Sequence, residues 1–259
     1  MTRFPLTALG LSLALALTGC KTAETLNTDS LGKTAETVST ASKALTLSDS
    51  DVVALSNESC AAMDAQNKVA PAKNKYTQRL NRVVKAFPKA IDGKQTNYKV
   101  YLTSDVNAWA MANGCIRVYS GLMDLMNDDE LRGVIGHEIG HVALGHSKSR
   151  LQAAYATSAA RQIAAQSGNA ALSTLSRTQA GELAEKFLNA QFSQSQESAS
   201  DDYSFDLLTQ LKLPRKGLVT SFQKLAKLSE GSKDSALLSS HPPSDKRAAH
   251  MQQRLGNGK

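Results

Sequence analysis

The chain has 259 residues, 41% of them hydrophobic and 20% charged, with a formal net charge of +7. That length is enough to bury a substantial core in one domain with appendages. The basic excess is scattered rather than gathered into a stripe or arm, which points to solubility and weak attraction to anionic surfaces, and away from nucleic acid as a partner.

The first residues are not part of that core. MTR supplies a basic start, FPLTALGLSLALAL an apolar run too short for a spanning helix, and LTGC places small residues before Cys20. This order reads as a bacterial secretory signal over residues 1–19. LTGC resembles the lipobox at which such signals are cut and the cysteine acylated; an ordinary signal peptide followed by an incidental cysteine is the alternative. No later stretch is apolar for the length a spanning helix needs, so lipid on Cys20 would be the only anchor. With Cys20 acylated, Cys60 and Cys115 remain as an even pair. In an oxidising compartment they are expected to form a disulfide tying an N-terminal helix to a central strand, two buried free thiols being the alternative.

Residues 20–50 are rich in Thr, Ser, Ala and Lys and repeat KTAET at Lys21 and Lys33, a composition that predicts a flexible tether. The folded domain is expected over 51–259, with helical spacing beginning just after Ser48. NKYTQRLNRVVKAF puts Tyr76, Leu80, Val83, Val84 and Phe87 on one helical face, closed by Pro88 and Gly93. NYKVYLTS alternates as a strand does, and NAWAMANGCIRVYSGL reads as two short strands turned at Asn113-Gly114. An Ala/Ser-rich helical region runs to about Ala190, and further helices are expected over 197–211, 217–228 and 244–255. The fold class is therefore α+β, mostly α, with a small antiparallel sheet.

The chemistry concentrates in GVIGHEIGHVALGH, residues 133–146. HEIGH fits H-E-x-x-H, the helical pattern that binds zinc through two histidines. Residues four apart differ by about 40° around a helix, so His137 and His141 can share one ion. Glu138, about 100° from His137, is placed to take a proton from water activated there. Asn127 and Glu130 form a capping box for this helix. Gly133, Gly136 and Gly140 each cost about 1 kcal/mol in a helix, and their narrow common sector predicts close packing against another backbone.

The third ligand is less direct. On a continuous helix His146 would sit about 180° from His137, which makes it a polar residue near the helix C-terminus rather than a ligand. Downstream acids are Glu182, Glu185 and Glu197. Only Glu197 has an aspartate four residues on, in ESASD, pairing a ligand with an orienting Asp201; Glu182 and Glu185 look like a solvated face.

HEIGHVALGH, ESASDDYSFDLL and HPPSDKRAAH together resemble the HtpX/Oma-type gluzincin metallopeptidases, relatives of the CAAX prenyl endopeptidase. YKVYLTSDVNAWAMANGCIRVYSGLMDLM and the lipobox are similar to the periplasmic lipoprotein branch of that family. The resemblance covers about Asp51 onward. It implies a zincin-like fold, one Zn2+ held by His137, His141 and Glu197, Glu138 as general base, and Asp201 behind the ligands. It further implies His241 as oxyanion stabiliser and Arg247 as orienter of the Glu197 and Asp201 carboxylates. Asn107, Ala108, Trp109 and Ala110 resemble the edge strand on which an extended polypeptide substrate lies by β-augmentation, although Trp109 could be plain core. The implied activity is endoproteolysis of unfolded or damaged envelope proteins. Lys21, where an aspartate would retain a lipoprotein at the inner membrane, implies lipid anchoring at the outer membrane, facing the periplasm. The rival reading is a lipoprotein that binds or assembles outer-membrane clients, with proteolysis secondary.

Overall fold

The computed structural model describes residues 47–158, 175–231, 236–242 and 245–257; the leader, Cys20 and nearly all of the tether lie outside them. Helix α1 (Asp49–Gln66) starts at a reciprocal box in which Ser48 and Asp51 satisfy each other's backbone N–H. Asn74 caps α2 (Lys75–Val84), accepting from the backbone N–H of Tyr76. Leu80, Val83 and, just past the helix, Phe87 are buried on its inner face.

Strands β1 (Ala90–Ile91) and β2 (Lys94–Gln95) form a hairpin. Its two-residue turn, Asp92-Gly93, has positive φ at both positions, as a type I′ turn requires. A second sheet contains β3 (Asn97–Tyr101), β4 (Ala108–Ala110) and β5 (Cys115–Tyr119), in the order β3-β5-β4. β4 and β5 are the expected antiparallel pair, turned through Gly114 at φ +84°. Any β-carbon at Gly114 would lie 2.6 Å from the carbonyl oxygen of Gln95, so only glycine fits. β3 joins the other side of β5 in parallel register, Asn97 opposite Cys115 and Tyr101 opposite Tyr119. The sheet is thus mixed, because the hairpin inserts β5 beside β3.

Alternation along these strands divides the interior into two cores. Val100, Ala108, Ala110, Ile116 and Val118 face one side, packed with Leu80, Leu131, Ile135, Phe205 and Leu208. Tyr101, Trp109, Cys115 and Tyr119 face the other, with Leu55, Met63, Leu151, Leu183 and Phe187. Trp109 is core, and a Cys60–Cys115 disulfide links α1 to the central strand.

After α3 (Ser120–Leu125), helix α4 (Asp128–Ala143) carries the HEIGH motif and opens with the Asn127/Glu130 capping box. Then follow α5 (His146–Ala156), α6 (Arg177–Asn189), α7 (Gln194–Gln210), α8 (Lys216–Gly231), α9 (Ala236–Ser240) and α10 (Asp245–Asn257). The expected helices are present; part of the Ala/Ser-rich region lies outside the described residues. The three α4 glycines do meet other helices. A β-carbon at Gly133 would fall 2.7 Å from Leu218 Cα on α8, one at Gly136 2.5 Å from Ser204 Oγ, and one at Gly140 3.1 Å from Ser200 Cα, both on α7.

Candidate active site

The close approach of α7 to α4 builds the site. Gly136 and Gly140 stack one turn apart on α4, as Ser200 and Ser204 do on α7, and Ser204 Oγ donates to Gly133 O at 2.9 Å. Small residues on both sides let α7 carry Glu197 and Asp201 directly against the α4 histidines. His137 and His141 point their Nε2 atoms together, 2.9 Å apart. Glu197 Oε1 lies 3.3 Å from His141 Nε2 and its Oε2 lies 3.6 Å from His137 Nε2. His241, just beyond α9, sets Nδ1 3.0 Å from Glu197 Oε1 and 3.3 Å from His137 Nε2.

One donor atom from each of His137, His141, Glu197 and His241 lies within 4.8 Å of the others, and all four residues are buried. Imidazole nitrogen and carboxylate oxygen form the donor set that zinc selects. The polar groups fit an ion as well: Glu138 Oε1 is buried without a hydrogen-bond partner, His241 Nε2 lying 3.5 Å away, whereas Glu197 Oε2 is met by Arg247. A buried carboxylate oxygen without a hydrogen bond is costly unless a further group meets it.

A second layer holds the first. Asp201 Oδ1 accepts from His137 Nδ1 at 2.7 Å. Arg247, at the start of α10, grips Asp201 through Nε at 2.6 Å and Nη2 at 2.8 Å, places Nη1 2.5 Å from Glu197 Oε2 and donates to Pro242 O. One fixed guanidinium fork therefore spans both carboxylates.

Burial and these partners separate the titrating groups. Burial opposes charge on His137, but the hydrogen bond and charge of Asp201, with Glu197, raise its pKa overall. Burial raises Glu138. For Glu197 burial is overcome by His137, His141 and His241, which hold it well below the usual carboxylate range. His141 is pushed well down, by burial first and then by repulsion from His137 and His241. One carboxylate is thereby kept charged and the other inclined to take a proton, the division that acid–base chemistry uses.

One expectation is altered by the geometry. α4 does not continue to His146: it ends at Ala143, Gly145 adopts φ +74°, and His146 begins α5. The reversal brings His146 back, its Nδ1 3.1 Å from His141 Nδ1 and 3.2 Å from Ser200 Oγ. It lies outside the four-residue donor cluster but behind one member of it. The residues expected to take the substrate are those of the outer strand β4 and the residue before it. Asn107, Ala108, Trp109 and Ala110 are all buried, and Ser147 Oγ donates to Ala110 O at 2.9 Å. Glu182 and Glu185 are exposed on α6.

The sequence reading also missed Phe192 and Arg150. Phe192 stacks on the His141 ring at 3.7 Å and 16°, and the Arg150 guanidinium lies 4.2 Å from the Phe192 centroid. Arg150 donates to the carbonyls of Leu188 and Ala190, and burial pushes its pKa down to about 10. Neither residue belongs to a spaced motif; Gly145 after the last periodic residue of α4 was the one local sign of the His146 reversal.

Comparison with known proteins finds metalloproteases over nearly the whole chain. Metalloprotease YcaL of Escherichia coli (strain K12) is 51% identical over 255 residues, 98% of this chain and 98% of that protein. Metalloprotease LoiP of the same strain is 49% identical over 245 residues, 95% of this chain and 94% of that protein. Protease HtpX of Acinetobacter baumannii (strain AYE) matches locally, 54% over 37 residues, 14% of this chain and 12% of that protein. Residues 74–255 match peptidase family M48. With that match spanning most of the domain, and with a buried cluster of three histidines and one glutamate at its centre, the chain belongs to peptidase family M48 and is a zinc metalloprotease.

Proposed function

We propose that this protein is a lipid-anchored zinc endopeptidase of the outer membrane, facing the periplasm, which cleaves unfolded or damaged envelope proteins. His137, His141 and Glu197 hold the metal in this reading. The observation that carries it is the buried Glu138 carboxylate, whose Oε1 has no hydrogen bond and lies 3.5 Å from Nε2 of His241, a member of the donor cluster. Zinc, when bound, supplies a Lewis acid that acidifies water and polarises a carbonyl.

The chain's own residues do the rest. Glu138 takes a proton from the attacking water at Oε1 and later delivers it to the leaving amine. His241, with Nε2 3.5 Å from Glu138 Oε1, stands on the same side as the base and donates to the oxyanion that develops on the substrate carbonyl. Arg247 fixes Glu197 and Asp201, and Asp201 fixes His137. An extended polypeptide aligns along β4, the outer strand of the sheet among the described residues. Because β4 and the site are buried as they stand, substrate entry requires that edge to open. Unfolded chains are the substrates that offer an extended backbone to such an edge. LTGC at Cys20 supports the anchor, and among the described residues no helix is long and apolar enough to cross a membrane.

Glu138→Gln tests the reading. It should keep bound zinc and lower cleavage of a denatured protein by about 10²–10⁴-fold; full activity in that variant would remove Glu138 as base. Fractionation of cells making the full chain tests the address, and recovery in the soluble periplasm would rule out lipid anchoring.

A further inference from the structure

His137 and His141 occupy equivalent places one helical turn apart, yet their outer nitrogens are supported differently. His137 Nδ1 meets the Asp201 carboxylate, itself gripped by Arg247. His141 Nδ1 meets no carboxylate; its partner is the imidazole of His146, Nδ1 to Nδ1 at 3.1 Å.

We infer that His146 is a positioning residue for His141, accepting a hydrogen bond that sets the tautomer of the ligand ring and which of its edges faces the metal. The inference rests on the reading of His141 as a zinc ligand. A neutral imidazole that offers its Nε2 lone pair to a metal carries its proton on Nδ1, so His141 Nδ1 must donate. His146 Nδ1 is then the acceptor, which leaves the His146 proton on Nε2.

Three surroundings make the contact selective. Gly145 at φ +74° turns the chain so that α5 opens with His146 facing back towards α4. Ser200 Oγ, 3.2 Å from the same His146 nitrogen, packs against it from α7, the helix that also carries Glu197; that nitrogen has a single lone pair, which here serves His141. Phe192 lies parallel to the His141 ring at 3.7 Å. That stack fixes the plane of the ring but not which edge faces α5, because a half-turn about χ2 preserves the plane, and the Nδ1 hydrogen bond selects one edge. The two α4 histidines are therefore fixed by different means, His137 by charge and His141 by a neutral hydrogen bond with an aromatic stack.

The test compares His146→Leu, His146→Asn and His141→Ala in the full chain, reading zinc affinity by competition with a chromophoric chelator. Asn places an acceptor oxygen close to where the His146 Nδ1 stands, whereas Leu fills the space without one. His146→Leu should bind zinc about 10–100-fold more weakly, the usual loss when such an outer partner is removed, and His146→Asn should recover most of that affinity. Unfolding of the metal-free variants is measured alongside, and His146→Ala substitutes for Leu if Leu does not fold. Unchanged affinity in Leu, or equal losses in Leu and Asn, would overturn the positioning role. His141→Ala separates the two levels: if it binds zinc normally the ligand reading fails, and if it alone loses zinc the ligand reading stands while the His146 role falls.

Discussion

Arg117 is a full charge on the central strand with 2% of its surface exposed. It is tolerable there because Asp64 of α1 meets its Nε at 2.7 Å and its Nη2 at 2.9 Å, while Lys99 and Tyr101 complete the carboxylate's partners. Burial would raise the Asp64 pKa, but the hydrogen bonds from Arg117, Lys99 and Tyr101 outweigh it and hold the pKa below the ordinary 3.8. A folded-state pKa below the unfolded one contributes stability above the unfolded value, and that stability is lost as pH falls through the folded one. Asp64→Asn should therefore cost about 3–5 kcal/mol near neutral pH, because it strands the Arg117 charge. Urea unfolding should show the gap from the unsubstituted protein narrowing at pH values below 3.8; a gap independent of pH would disprove the ionic account. None of this network was legible in the sequence, since a buried arginine and its aspartate lie 53 residues apart and share no spaced motif. HEIGH was legible because its chemistry follows from helical periodicity within five residues. His146 was misplaced for a related reason: one glycine in the left-handed region cancels an extrapolated helix angle.

At the scale of elements, the glycine stripe of α4 trades helix propensity for closeness. Alanine at Gly133 would gain about 1 kcal/mol of intrinsic helix stability. Its β-carbon would also stand 2.7 Å from Leu218 Cα and 2.9 Å from Leu218 N, backbone atoms of α8 that cannot rotate aside. Overpacking of that kind costs about 1–3 kcal/mol, so Gly133→Ala should be neutral to destabilising despite the better helix former. Denaturant unfolding that showed a clear gain would mean the two helices have slack to separate. The stripe itself was readable as a narrow sector of small residues, and so was the need for a close neighbour. Which neighbour was not readable: Ser200 and Ser204 look like ordinary polar positions until Gly136 and Gly140 are laid against them. The parallel pairing of β3 with β5 escaped in the same way, because strand alternation reports faces and not partners.

On the scale of the whole molecule, the sheet separates a core that supports the metal helix from one that docks α1 and α6. The disulfide and the Asp64–Arg117 pair both join α1 to β5 on the second side, so the attachment of α1 is strengthened twice away from the site. Composition and order predicted a mostly helical α+β domain, but not that its interior is two cores. The cysteine count predicted the bond. Its two cysteines are 55 residues apart, and a closed loop of that length limits the unfolded chain by about 4 kcal/mol at room temperature on the chain-entropy account. Reduction should therefore lower unfolding stability by about 2–4 kcal/mol. The loss should fall on α1 first, because the second core is where the link is made. The α4–α7 contact that assembles His137, His141 and Glu197 does not pass through α1 or either cysteine. Zinc affinity of the reduced, still folded protein should thus match that of the oxidised one, measured by chelator competition below the unfolding transition. A large drop in affinity on reduction would mean that the two sides of the sheet are mechanically coupled, and that α1 helps to hold the metal helix in place.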